Sequence, residues 1–202
     1  MYEIKAHEVI YQGAHFRSKN ECKRYIFLKE LGWNVEYEPV LDDIKGWIPD
    51  LIIFGKNDSK ILVEVKPYQT GKDFRTDYAK NFEEKINKSE WYKNYDAVLI
   101  VGSTLNLGKA DCGGDYSFVG GEIFRECEPD EHNPHPYYRD SFAYTDRDTG
   151  GEIDICDECM SFRGVVWDSY DGGYDLTEEG LKKIETAWNK AGTEMRYVKR
   201  VT

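Results

Sequence analysis

The chain has 202 residues, of which 40% are hydrophobic and 32% charged, and its formal net charge is −11. This length is enough to bury an apolar core and predicts one domain, or one compact domain that carries an insertion. No apolar run approaches the roughly eighteen residues of a membrane-spanning helix, and residues 1–5 do not resemble a signal peptide. These features argue against a helical membrane protein, and we expect a soluble, cytoplasmic one.

The negative charge is concentrated in one segment of the chain. Residues 1–110 hold 17 acidic and 17 basic side chains, residues 111–180 hold 19 and 4, and residues 181–202 hold 2 and 6. A phosphate backbone needs positive charge only where it binds. A nucleic-acid partner therefore remains compatible with this acidic chain, because its first half is neutral and carries basic clusters.

The first helix is predicted to begin after a short strand and turn in residues 7–13. Ser18 is a preferred N-cap residue and Glu21 follows three places later, which is the spacing of a capping box. The helix is predicted to end at Gly32, and an alternating strand then runs over residues 33–39. Glu21 either closes the helix N-terminus or contributes to a functional site, and the sequence leaves both readings open.

A β-hairpin over residues 47–66 carries the side chains of greatest chemical interest. Two apolar runs flank a polar turn, which predicts two antiparallel strands. Because side chains alternate along a strand, Glu64 and Lys66 should share one face, while Asp50 begins the facing strand after Pro49. Two carboxylates with open water positions suit Mg²⁺, and a neighbouring lysine can position an attacking water. A surface ion pair on an edge strand is the alternative.

The Pro-Asp sequence at positions 49–50, followed by Glu-Val-Lys at positions 64–66, resembles the PD-(D/E)xK nuclease superfamily. The resemblance covers roughly residues 15–102, and Glu21 stands where that family often has a further acid on a preceding helix. It implies an α/β (α+β) fold with an α-β-β-β-α-β core and a mixed sheet. The periodicity of the sequence predicts the same order of elements.

The resemblance also implies roles for these residues. Asp50 and Glu64 would hold Mg²⁺ or Mn²⁺ together with the main-chain carbonyl of Val65. Lys66 would position the water, and Glu21 would serve a second metal or support the first. The implied activity is that of a DNA endonuclease that hydrolyses phosphodiester bonds, with RNA also open as a substrate. Nucleases of this sort that cut both strands commonly form homodimers.

A second helical pattern spans residues 71–94 and leads into a buried strand at residues 95–102. A strand that is reached through a helix should lie parallel to its neighbour in the sheet. Six basic side chains lie along the helix, and interspersed acids favour a solvated face for most of them. We select Lys80 as the candidate phosphate contact.

Residues 103–175 form an acidic segment rich in Gly, Asp and aromatic residues, with short strands predicted at 116–121 and 164–167. Cys156 and Cys159 have the spacing of two zinc ligands in a tight turn. Cys127 and His132 are the nearest residues to complete a structural Zn²⁺ site, and Cys112 and His135 are alternatives. Free cysteines in a loop-rich subdomain are the competing interpretation, because a second Cys-x-x-Cys pair is absent from the sequence.

Residues 176–202 read as a capped amphipathic helix followed by a short basic strand, both packing on the core. We therefore divide the chain into a nuclease-like core (1–102), the acidic Cys/His-containing subdomain (103–175) and this C-terminal unit. The function predicted from sequence is a metal-dependent nuclease. The rival is a non-catalytic regulator that binds nucleic acid or protein on a nuclease-like scaffold, with a zinc-held module. The acidic segment could also act as an autoinhibitory flap.

Overall fold

A computed structural model describes residues 7–55, 58–69, 72–73, 76–105, 119–126, 129, 136–146, 150–157 and 176–200. The α-helices in these ranges are α1 (Lys19–Glu30), α2 (Asp77–Lys88) and α3 (Glu178–Glu194). The strands are β1 (Val9–Tyr11), β2 (Ala14–Phe16), β3 (Asn34–Tyr37), β4 (Leu51–Phe54), β5 (Lys60–Val65), β6 (Ala97–Val101), β7 (Val119–Glu126), β8 (Tyr137–Thr145), β9 (Asp154–Asp157) and β10 (Lys199–Arg200). None of the described helices has the length and apolar character needed to cross a bilayer.

Seven strands form one mixed sheet in the order β3-β4-β5-β6-β7-β8-β9. The predicted hairpin is confirmed, since β4 and β5 pair antiparallel with Leu51 opposite Val63. The predicted crossover is also confirmed, because β6 runs parallel to β5 with Ile61 opposite Ala97. The remaining neighbours in the sheet are antiparallel. The chain is thus an α/β protein with a mixed, mostly antiparallel sheet.

The two faces of β5 enter two separate apolar clusters, as strand alternation requires. Ile61, Val63 and Val65 pack in the cluster that contains α1 and α3, whereas Leu62 packs in the cluster that contains α2. Each core is closed by helices on its own side of the sheet. The same alternation places Glu64, in β5, and Lys66, just after its end, on the α2 side of the sheet.

The sheet curves around the helix pair α1 and α3. Although β3 and β9 lie at opposite ends of the strand order, the indole N–H of Trp33, just before β3, donates to the carbonyl of Ile153, just before β9, at 3.2 Å. Phe27 of α1 makes edge contacts with Tyr144 of β8 and with Trp188 of α3. Helix α1 is thereby fixed from several directions, which positions its N-terminus beside β4 and β5.

Local sequence signals account for the helix ends. The Ser18 hydroxyl accepts a hydrogen bond from the backbone N–H of Glu21 at 3.1 Å, and Thr76 and Thr177 cap α2 and α3 in the same way. Gly32 follows α1 with φ +86°, a conformation that glycine adopts without strain. The C-terminal strand is also found, as β10, which pairs with β1 in a small sheet of order β10-β1-β2.

The described part of the acidic segment continues the core sheet through β7, β8 and β9. Its buried side chains include Ile123, Phe124, Phe142 and Ile155, so apolar packing holds these strands in place. The strand predicted at 116–121 lies further along the chain, at Val119–Glu126. The strand predicted at 164–167 lies outside the described residues. Sequence alternation did not identify β8 or β9.

Candidate active site

An open pocket of about 820 Å³ lies where α1, the loop before β4, the end of β5 and α2 meet. It is lined by all four side chains that the sequence singled out: Glu21, Asp50, Glu64 and Lys66. The three carboxylic acids are buried, with 8%, 4% and 6% of their surface exposed, respectively. Three acids on three different elements therefore face one pocket.

Asp50 is held from two sides. Its Oδ2 accepts a hydrogen bond from the backbone N–H of Val65 at 2.8 Å, which ties the start of β4 to the end of β5. Its Oδ1 accepts one from the guanidinium of Arg17 at 3.0 Å. The hairpin register thus fixes Asp50 beside Val65, which follows it by 15 positions in the chain.

Glu64 and Lys66 form a close ion pair on one face of β5, as predicted from strand alternation. The ammonium of Lys66 donates to Oε1 of Glu64 at 2.6 Å, and the indole N–H of Trp47 donates to Oε2 at 2.9 Å. Lys66 also lies over the ring of Phe82, 3.9 Å from its centroid. Its side chain is only 12% exposed, so this pair is enclosed and is not the surface ion pair of the alternative reading.

Glu21 is oriented by Tyr37 of β3. The Tyr37 hydroxyl donates to Oε2 of Glu21 at 2.8 Å and accepts from the backbone N–H of Arg17 at 2.8 Å. The helix cap is made by the Glu21 backbone with Ser18, and the side chain is directed to Tyr37. The carboxylate of Glu21 is therefore part of the pocket.

The clustering of acids changes the protonation of Asp50. Burial and the nearby carboxylates of Glu64 and Glu21 raise the pKa of Asp50 to about 8. The hydrogen bond from Val65 and the charge of Lys66 oppose this shift without reversing it. A divalent cation bound to Asp50 would favour its ionised form.

Among the described residues, no three His, Cys, Asp or Glu side chains are close enough together to form a complete metal-ligand set. Mg²⁺ does not require one, because it keeps several waters and is commonly bound by one or two carboxylates. Asp50 and Glu64, with the carbonyl of Val65, are the donors that fit such an ion. Both carboxylates are hard oxygen ligands in a pocket open to water.

Helix α2 contributes Asn81, Phe82 and Lys85 to the pocket. Lys80, selected from the sequence as a phosphate contact, is not among the lining residues, and its ammonium lies 3.8 Å from Asp77 on the same helix. Asn81 and Lys85 are four positions apart and therefore share one face of the helix, whereas Lys80 lies on another face. Lys85 and Arg17 are the additional cations at this pocket.

The proposed zinc ligands cannot be placed. Cys127, His132 and Cys159, with the alternatives Cys112 and His135, lie outside the described residues. Cys156 lies in β9, opposite Ala143, but its side chain is not described. The zinc site therefore stays a prediction from sequence. Cys22, to which the sequence gives no role, is fully buried in α1, and burial raises the pKa of its thiol to about 12.

A larger groove, of about 1000 Å³, lies away from the carboxylates, between α3 and the ends of β3 and β4. Its charged side chains largely pair with one another: Lys183 with Glu179 at 3.3 Å and Lys190 with Glu30 at 2.6 Å. Size alone does not make this groove the reactive site. The smaller pocket has the buried acids and the enclosed lysine.

Sequence reasoning missed Arg17, Tyr37 and Trp47, the three residues that bind the site's carboxylates from outside the motif. Arg17 and Trp47 are close in sequence to motif residues, which was a usable signal, whereas Tyr37 is recognisable only once β3 is paired with β4. Comparison of the chain with protein-family models, with curated proteins and with solved structures gives no match. The function must therefore be argued from the site itself.

Proposed function

We propose that this protein is a metal-dependent nuclease that hydrolyses phosphodiester bonds in DNA. The observation that carries the proposal is the enclosed Glu64–Lys66 ion pair at 2.6 Å, with Asp50 held beside it by the N–H of Val65. The side chains of Asp50, Glu64 and Lys66 all line one pocket that is open to solvent. The succession α1, β3, β4, β5, α2, β6 supports a PD-(D/E)xK-type core around them.

Asp50 and Glu64, with the main-chain carbonyl of Val65, would hold Mg²⁺ or Mn²⁺ in this pocket. When bound, such an ion supplies charge to a phosphate oxygen and acidifies a water molecule. Glu21 adds negative charge next to Asp50 and is oriented by Tyr37, so it supports the ion from the α1 side. The raised pKa of Asp50 means that it would release a proton as the ion binds.

Lys66 has the position required of a group that acts on water and on phosphate. Its ammonium is fixed between Glu64 and the ring of Phe82, so little reorganisation is needed when negative charge develops nearby. From there Lys66 can donate to the attacking water, orient it and stabilise charge on the phosphate. Trp47 donates a hydrogen bond to the other oxygen of Glu64, which keeps the carboxylate oriented toward Lys66.

The rival function is a nucleic-acid- or protein-binding regulator on the same scaffold. One observation favours it: each of Asp50 and Glu64 already has a cationic partner, Arg17 and Lys66 respectively. In a regulator those two pairs would be permanent and would contribute only to the fold. The two functions differ in whether a divalent ion changes what the protein does to DNA.

The experiment that tests the proposal is incubation of the protein with supercoiled plasmid and with branched oligonucleotides, in Mg²⁺, in Mn²⁺ or in chelator. We expect cleavage only with a divalent ion, and the nicked and linear products report strand count. Lys93→Ala is the matched control, because it removes a lysine from an exposed pair with Glu90 outside the pocket. A wild-type protein that binds DNA without cutting it under any of these conditions would support the regulator instead.

A further inference from the structure

We propose that Arg17 is a phosphate-binding residue that Asp50 holds in place until the metal binds. In the metal-free protein its guanidinium is held by a hydrogen bond to Asp50. When a divalent ion takes that carboxylate, the guanidinium is released to bind the substrate's phosphate. This inference rests on the proposed nuclease function and assigns a role to a residue outside the sequence motif.

The positions of the two partners support an exchange. Arg17 Nη2 lies 3.0 Å from Asp50 Oδ1, yet the Arg17 side chain is 50% exposed while the Asp50 side chain is 6% exposed. The cation therefore sits on the solvent side of the acid, at the pocket that both residues line. A ligand that approaches Asp50 from solvent meets the guanidinium first.

Glu38 provides a second anchor for Arg17. The Arg17 Nε donates to a Glu38 carboxylate oxygen, so the guanidinium bridges two acids. The backbone N–H of Glu38 donates to the carbonyl of Asp50 at 2.9 Å, which fixes both acids relative to each other. Glu38 has φ +43°, a left-handed conformation that is unfavourable for a residue other than glycine. The fold thus holds Glu38 in an unfavourable conformation beside the site.

The two acids that hold Arg17 differ in how strongly they attract a divalent ion, so the ion releases the guanidinium from Asp50 and not from Glu38. A divalent ion competes for the buried Asp50 much more strongly than for Glu38, which is 35% exposed and better hydrated. After the exchange Glu38 still holds one edge of the guanidinium close to the pocket. The donors freed from Asp50 form part of a planar fork that matches phosphate oxygens.

The test compares Arg17→Ala and Arg17→Lys with Arg196→Ala, which removes an exposed arginine that does not line the pocket. Mn²⁺ affinity is measured by calorimetry without DNA, and KM and kcat are measured on one oligonucleotide. We expect Arg17→Ala to bind Mn²⁺ at least threefold more tightly, because a competing cation is gone, while KM rises about tenfold and kcat falls less. Arg17→Lys should restore weak Mn²⁺ binding but not the low KM, because lysine lacks the fork.

Glu38→Gln separates an exchange from a merely structural contact. Without its second anchor Arg17 should pair more tightly with Asp50, so Mn²⁺ affinity should fall, and this effect should largely vanish when Arg17→Ala is also present. Unchanged or weaker Mn²⁺ binding in Arg17→Ala would overturn the inference while leaving the nuclease proposal intact. A wild-type protein that neither binds Mn²⁺ nor cleaves DNA would instead overturn the proposed function itself. Should Arg17→Ala fail to fold, Arg17→Lys and Glu38→Gln still decide the question.

Discussion

Two basic side chains, Arg24 and Lys66, lie on opposite sides of the central sheet with little exposure to solvent, and their surroundings differ. Arg24 of α1 is 1% exposed, and its guanidinium donates to the main-chain carbonyls of Gly102 and Thr104. It also lies 4.7 Å from the centroid of the Trp188 ring. The Lys66 side chain is 12% exposed, its partner is a carboxylate, and it lines a pocket open to solvent.

The difference teaches how a buried charge can be recognised as structural or reactive. The guanidinium of Arg24 donates to backbone carbonyls and lies over the Trp188 ring inside the fold, away from the pocket that solutes can enter. Lys66 faces Glu64, and Asp50 and Glu21 line the same pocket, so the local charge depends on what enters it. The first environment fixes an element of the fold, and the second can respond to a ligand.

Replacing Lys66 is expected to give the largest effect on activity. Lys66→Ala should lower the rate of DNA cleavage about 10³-fold, because it removes the donor nearest the proposed water and phosphate. The protein should still fold with the wild-type circular dichroism spectrum, although its unfolding temperature should fall because Glu64 loses its cationic partner. Single-turnover cleavage at saturating Mg²⁺ measures the loss, with Lys93→Ala run alongside. A Lys66→Ala protein that cuts at the wild-type rate would show that Lys66, like Arg24, serves only the fold.

Replacing Arg24 should show the converse pattern. Arg24→Met keeps much of the side-chain volume but leaves the carbonyls of Gly102 and Thr104 without their donor, and we expect the free energy of unfolding to fall by about 3 kcal/mol. Urea denaturation measures this loss. Cleavage per folded molecule should stay near the wild-type value, and a rate loss as large as that of Lys66→Ala would show that Arg24 also serves the reaction.

The raised pKa of Asp50 predicts how pH affects metal binding. Since the folded protein holds a proton on Asp50 up to about pH 8, whereas an ordinary Asp loses it near pH 4, metal must compete with that proton below pH 8. At low Mg²⁺ the cleavage rate should rise about tenfold per pH unit and level off above about pH 8. Higher Mg²⁺ should move this midpoint to lower pH, and a midpoint insensitive to Mg²⁺ would contradict the assignment.

The same shift predicts the metal-free stability. The folded state binds more protons than the unfolded state between about pH 4 and pH 8, so the free energy of unfolding should decline as pH rises through that window. Asp50→Asn cannot ionise and should show a flatter profile. Urea denaturation at several pH values in chelator provides this control, because it involves neither DNA nor metal.

The central site was predictable from sequence because each of its parts follows from a local rule. Strand alternation placed Glu64 and Lys66 on one face, and the hairpin turn placed Asp50 beside Val65. The contacts from Arg17 and Tyr37 were not predictable in this way, since they depend on how α1 and β3 pack against the hairpin. Lys80 does not line the pocket, whereas Asn81 and Lys85, on another face of α2, do.

The acidic segment shows a different reason for failure. Its sequence predicted only short strands at 116–121 and 164–167, yet β7 and β8 run for 8 and 9 residues and join the core sheet. An antiparallel strand needs only one apolar face, and widely spaced residues such as Ile123 and Phe142 supply it. Composition averaged over 70 or so residues hides such a pattern, which appears only when each strand is paired with its neighbour.

Trp47 offers the smallest and most selective test of the comparison. Trp47→Phe removes the N–H that binds Glu64 but retains an aromatic ring against Phe82, with which the indole makes an edge contact. The carboxylate then keeps only Lys66 as a partner and should sample more orientations, so we expect kcat to fall about fivefold. Trp91→Phe is the matched control, because Trp91 is fully buried in the same cluster and its indole N–H has no acceptor in the described structure. Both variants should lose similar stability, as each replaces a large buried ring by a smaller one. If the two variants also lose similar activity, packing alone explains the effect, and Trp47 has no part in holding Glu64 and Lys66 in register.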